Sequence, residues 1–167
     1  MTNPFATAPA AWITGFWKWD PQLWGCVGWT FPGARERVMQ LAEANGSGGS
    51  ILCAVYTTKT SPEASERANR GRIMGAYELS LDTDHRDAFS APESRLYHPE
   101  RWQHALRATR CWEFPERPTV EWIMPDIWDA PGLARVAGIH GVAMGREAMR
   151  RLGDFDAVEV GFHAAKG

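Results

Sequence analysis

The residues best suited to chemistry stand together at Tyr56-Thr57-Thr58-Lys59-Thr60, where an apolar run gives way to hydroxyls and an ammonium. At the end of a strand such groups can hydrogen-bond the edge of a heterocyclic base or neutralise a phosphate. The same run also reads as an ordinary polar strand end. Arg70-Gly71-Arg72 follows a polar stretch, and a glycine there lets backbone come close to a ligand, though a solvated turn would look the same. The chain has nine tryptophans, and Trp12, Trp17, Trp19, Trp24 and Trp29 fall within eighteen residues. Alternate residues of a strand point to opposite faces, so Trp17 and Trp19 can share a face while Trp12 and Trp17 cannot. Trp17, Trp19 and Trp29 are therefore candidate stacking walls for a planar ligand, with core packing as the competing use.

Other chemistry has little support. The sequence contains no Walker loop, GxGxxG, GxSxG, HExxH or EF-hand loop, which removes most nucleotide-hydrolysing, redox and protease classes. His85, His98, His104, His140 and His163 lie in unrelated segments without i,i+4 pairing, so no metal is expected. Cys26, Cys53 and Cys111 form no CxxC pair and read as structural thiols. No cofactor and no catalytic residue is assigned on these grounds.

Composition bounds the partners. At 167 residues, with 44% apolar and 23% charged residues, the chain reads as one globular domain. No apolar run is long enough to cross a bilayer, and residues 1–11 lack the charge and apolar core of a secretory signal. The expected address is the cytoplasm, with residues 1–11 as a disordered lead-in and 12–167 as the domain. A net charge of −2 argues against gripping long duplexes by phosphate neutralisation alone. The charge is uneven, however: Lys59 to Arg72 carries four bases and two acids, and Glu78 to Glu93 five acids and one base.

These residues need elements to position them. Trp12–Trp19 reads as a first strand, closed by Asp20-Pro21, and Gly25–Thr30 as a short extended piece. Ala34–Asn45 reads as a helix burying Val38, Leu41 and Ala42, ended by Asn45-Gly46. Ile51–Thr58 is apolar on both faces and reads as a central strand, with Ile73–Ser80 as its antiparallel neighbour. Ala105–Phe114 alternates Leu106, Ala108, Trp112 and Phe114 against Arg107, Thr109, Cys111 and Glu113, which predicts one solvated face; Arg110 interrupts the apolar side. A short helical piece is expected over Leu133–Ala137, an extended one over Gly141–Met144, a helix over Arg146–Leu152 and a last strand over Val158–Phe162. Asp82–Glu100 reads as a long connection. The pattern predicts an α+β fold: a curved, mostly antiparallel sheet or open β-barrel with short flanking helices.

The order of WITGFWKW, GSILCAVYTT, RGRIMGAYELS, PERWQHALRATRCWEFPERPTVEWI and ARVAGIHGVAMGREAMRRL resembles PUA-like domains of the EVE type, over roughly Trp12 to Leu152. The resemblance implies a curved barrel with a pocket that admits a base, often a modified one. Its pocket would be formed near Lys18-Trp19-Asp20 and Trp24–Trp29.

Three functions from different classes follow. In the first, the chain is a nucleic-acid or nucleobase binding module for DNA or RNA, taking a short single strand or a flipped modified base. Trp17, Lys18, Trp19, Trp29, Tyr56, Thr57 and Thr58 would hold the base, and Lys59, Arg70 and Arg72 the backbone. In the second, the related ASCH group within the same superfamily implies an amidohydrolase in which Thr58, Lys59 and Glu78 act together. The third is a protein-interaction domain with exposed tryptophans at its interface.

Overall fold

The computed structural model describes residues 3–16, 18–19, 25–29, 34–59, 61–81, 104–128 and 141–161. The strands are β1 (Ala11–Phe16), β2 (Cys26–Trp29), β3 (Ser50–Thr57), β4 (Ile73–Ser80), β5 (His104–Glu113), β6 (Val142–Ala143) and β7 (Val158–Val160). The helices are α1 (Ala34–Ala44), α2 (Val120–Ile123), α3 (Pro125–Trp128) and α4 (Arg146–Gly153), with 3-10 turns at Pro4–Ala6 and Ala64–Asn69. The expected helix at 133–137 and the connection at 82–100 lie outside the described residues.

All seven strands belong to one sheet, ordered β2-β5-β4-β3-β1-β6, with β7 also paired to β5. Only β1 and β3 run parallel among the described pairs, so the sheet is mixed and mostly antiparallel. Its path ends at β2 and at β6, and it is not closed into a barrel. The expected pairing of β3 with β4 is present, with Ile51 opposite Leu79 and Ala54 opposite Ala76.

β3 is central because both of its faces are apolar. Leu52, Ala54 and Tyr56 pack on one side with Ile13, Trp112, Phe114 and Met149. Ile51, Cys53 and Val55 pack on the other with Trp12, Val38, Tyr77 and Leu106. Two packed layers therefore sandwich the sheet, the first contributed by Phe5, α2 and α4 and the second by α1. Removing each Val, Leu or Ile from water contributes about 1.5–3 kcal/mol, so neither layer is dispensable.

Two register shifts change which face a residue serves. Between Val55 and Tyr56 the partner on β4 jumps from Gly75 to Ile73, leaving Met74 as the extra residue. Between Glu78 and Leu79 the partner on β5 jumps from Arg110 to Ala108, leaving Thr109 extra. A bulge of this kind reverses the alternation and bends the strand. Leu106, Ala108 and Cys111 thus face the second layer, whereas Trp112 and Phe114 face the first. The single apolar stripe expected along this strand is therefore split between two cores, and the face expected to be solvated carries a Cys111 that is fully buried.

Residues 3–10 are not a disordered lead-in. The Asn3 amide donates to the carbonyls of Leu152 (2.9 Å) and Phe155 (2.7 Å), and Phe5 is buried with its ring centroid 6.0 Å from that of Phe114. A buried aromatic and a doubly bonded amide offset the entropy of ordering this segment.

Gly75 marks the tightest point of the second layer. A Cβ there would collide with the Trp19 ring and with the Trp112 carbonyl, and the latter is backbone and cannot swing aside. Gly75→Ala is expected to destabilise the protein by about 1–3 kcal/mol or more. Urea unfolding should show a lower midpoint at unchanged slope; an unchanged midpoint would refute this packing account.

Candidate functional site

The cleft that the fold builds lies at the Ser50 end of β3. On the first-layer face, Leu52, Glu78 and Arg110 stand in one row across β3, β4 and β5, each opposite the next in register. Trp112 sits in the following row, 3% exposed. The segment Pro4 to Ala10 passes over this end of the sheet, and between them is a cavity of about 390 Å³. Ser47 and Ser50 also line it. That volume falls within the range of small-molecule sites, about 300–1,000 Å³.

Arg110 is held on two sides. Its Nε and one terminal nitrogen donate to the Glu159 carboxylate at 3.2 and 2.6 Å, a bidentate pair of half-exposed side chains. Its guanidinium carbon lies 4.7 Å from the Trp112 ring centroid. The hydrogen bond to Glu159 raises the Arg110 pKa and holds the Glu159 carboxyl below its ordinary value. Such a pair fixes a planar cation in one orientation. Two of the five guanidinium N–H donors are taken by Glu159. Glu78, half-buried beside it, accepts the Thr109 hydroxyl at 3.3 Å through one carboxylate oxygen. The cleft thus presents a carboxylate acceptor next to an oriented guanidinium, which itself lies over the ring of the core residue Trp112.

The residues expected to bind a base lie elsewhere. Trp19 is 9% exposed and packs edge-on against Tyr77 at 5.7 Å between centroids, so it is a core residue and no stacking wall. Tyr56 is in the first-layer core, and burial pushes its hydroxyl up to about 12. Thr57 and Thr58 are buried at 0% and 1% exposure, closed in by the Phe16 and Arg72 backbone. Their hydroxyls have no hydrogen-bond partner among the described residues. Trp17 and Thr60 lie outside the described residues, as do Asp20 and Trp24; of Trp29 the backbone is described, paired with His104.

Lys18, Lys59 and Arg70 are exposed, at the opposite end of β3 from the cleft. The Arg70 guanidinium donates to the Ser61 carbonyl, and that of Arg72 to the Arg117 carbonyl at 2.9 Å. Glu78 stands opposite Leu52, six residues before Thr58 on β3. At about 3.3 Å per residue that separates them by about 20 Å, so Thr58, Lys59 and Glu78 do not form the expected constellation.

Cys53 and Cys111 supply no nucleophile here. Burial pushes the thiols of Cys53 and Cys111 upward, with Glu113 and Glu159 adding to the effect at Cys111. Among the described tryptophans, Trp122 is the exposed one, at 58%, with Arg151 5.0 Å from its ring centroid. One sequence signal did point to the cleft, namely the arginine interrupting the apolar stripe of β5.

Compared with protein-family models, curated proteins and solved structures, the chain matches none.

Two outcomes are expected of this geometry. Because the folded-state pKa of Glu159 is depressed, its pairing contributes stability above the ordinary carboxylate pKa of about 4.3 and loses it as pH falls through the lower folded value. Carboxyl NMR titration should place the Glu159 midpoint below that value, and Arg110→Ala should return it; equal midpoints would deny the pair. Separately, Thr58→Val removes a buried hydroxyl that has no partner among the described residues, at nearly constant shape, so stability should stay level or rise by up to about 1 kcal/mol. A loss of several kcal/mol would show that this hydroxyl is bonded.

Proposed function

We propose that the chain is a binding module whose ligand is a planar, polar heterocycle of the nucleobase class, held in the cleft between Pro4–Ala10 and the row Leu52, Glu78 and Arg110. The observation that carries this reading is the Arg110 guanidinium, fixed by Glu159 against Trp112 at the cleft wall. A guanidinium so held offers its free N–H groups to a base oxygen or nitrogen. Glu78 offers acceptors to exocyclic amino and ring N–H groups.

The base site of this proposal is the cleft and not the Thr57–Lys59 end of β3. Its context is the PUA-like, EVE-type resemblance, supported by an open, mostly antiparallel sheet flanked by short helices. The partner is a DNA or RNA base, modified or not, presented unpaired or in a short single strand. Extruding a paired base costs a few kcal/mol, and one stacked base recovers about 1–3 kcal/mol. Buried free thiols at Cys53 and Cys111 fit a reducing compartment, and the proposed address is the cytoplasm. No described helix is long and apolar enough to cross a membrane.

The test is a tryptophan-fluorescence titration with nucleosides. Trp112 lies directly beneath Arg110 at the cleft, so a ligand bound to that guanidinium should change its emission saturably, and Arg110→Ala should weaken binding by about tenfold or more. Quenching with the same midpoint in Arg110→Ala would place the ligand elsewhere. The absence of saturable binding to any nucleoside or short strand would end the reading.

A further inference from the structure

The order of hydrogen-bonding groups along the row narrows the base. Glu78 and Arg110 are direct cross-strand partners on one face, and both line the cleft. The Cβ atoms of directly opposed residues of an antiparallel pair stand about 4.5–5.5 Å apart, so the two side chains rise from neighbouring points of one cleft wall. Glu78 uses one oxygen to accept from Thr109, which leaves acceptor capacity on the carboxylate. Arg110 gives two donors to Glu159 and keeps three of its five. Read along the row, the site is therefore a carboxylate acceptor pair followed by a donor group.

Resting on the reading of the cleft as a base site, we propose that the base it selects is guanine. The pairing edge of guanine presents its 2-amino group and N1–H as adjacent donors, followed by the O6 acceptor. A carboxylate takes the two donors, and the neighbouring guanidinium takes O6. Adenine opposes this order, since the ring nitrogen beside its amino group is an acceptor and would face the carboxylate. Cytosine places two acceptors after its amino donor, and uracil and thymine have one donor between two carbonyls. Each of these would set an acceptor against Glu78, a repulsive contact that excludes as firmly as the matched contacts attract.

The arrangement also explains why Arg110 is tied to a third residue. A guanidinium free to swing onto Glu78 would close the acceptor pair on itself. Glu159 instead engages Arg110 from β7, and Glu78 acts on it only at longer range.

The experiment compares guanosine, inosine, 1-methylguanosine, adenosine and cytidine by the same titration, with short pyrimidine single strands carrying or lacking one guanine. Guanosine should bind about tenfold or more tightly than adenosine and cytidine. Inosine, which lacks the 2-amino group, and 1-methylguanosine, which lacks N1–H, should lose most of that advantage. Those arms use the unaltered protein, so they do not depend on a variant folding. Glu78→Gln, which replaces one acceptor oxygen by a donor at constant shape, should abolish the preference while leaving the thermal midpoint unchanged.

Tighter binding of the guanine-bearing strand than of guanosine would identify a nucleic acid as the source of the base; equal affinity would identify the free nucleoside. Either result supports guanine. Equal or tighter binding of adenosine or cytidine would overturn the guanine assignment and leave the base site standing. A guanine preference that survives Glu78→Gln would overturn the role given to Glu78. Binding of no nucleoside and no strand would remove the base site and this inference together.

Discussion

Everything about the cleft depends on the extra residue at Thr109. Upstream of it, β5 sends Leu106 and Ala108 into the second packed layer; downstream, Arg110 and Trp112 turn toward the first. Without the bulge, alternation from Leu106 would carry Arg110 and Trp112 onto the second-layer face, among Tyr77 and Leu79. A guanidinium there would be buried among apolar side chains and Tyr77, where an unpaired charge is costly. The bulge thus reconciles an apolar stripe with a charged residue in its middle. It also leaves the Thr109 hydroxyl beside Glu78, where it bonds both the backbone carbonyl and the carboxylate of that residue.

A row of charges on a sheet is no site until something limits its access to water. The segment from Asn3 to Ala10 does so. Asn3 joins it to the end of α4, Phe5 anchors it in the first layer, and Ala11 continues directly into β1 beside β3. Gly153 is part of the same fit, because a Cβ there would stand 3.0 Å from the Ala6 backbone. The strap and α4 therefore stabilise each other, and the cleft is bounded by groups already held by the core. A cavity whose walls are fixed before a ligand arrives avoids much of the ordering cost of binding.

The broad architecture was legible because it follows from period and composition. Ile51–Thr58 and Ile73–Ser80 are strand-length and mostly apolar, and such runs have few places to go except beside one another. The helix over Ala34–Ala44 was legible from the spacing of Val38 and Ala42. The candidate site was less so. A bulge moves no residue in the sequence, and Thr109 carries no glycine or proline to mark it. Trp19 and Tyr56 illustrate a second limit: an aromatic that lines a pocket and one that fills a core have the same side chain, and burial decides between them. Asn3 and Phe5 show a third, since a segment without a periodic pattern can still be ordered by one aromatic and one amide.

Glu78 is half-buried at a position where an apolar residue would also pack. Its neighbours across the sheet are Leu52 and Arg110, and an uncharged side chain would continue the surface formed by Leu52. The Thr109 hydroxyl supplies one hydrogen bond to the Glu78 carboxylate. Arg110, its cross-strand partner, is instead held by Glu159 in a bidentate pair. The Glu78 carboxylate therefore keeps acceptor capacity toward the open cleft. That capacity is met by water or by a ligand that brings donors of its own, and a ligand gains from displacing water only if its donors match. Selectivity at the proposed site would then come from the placement of a carboxylate that Glu159 keeps clear of Arg110.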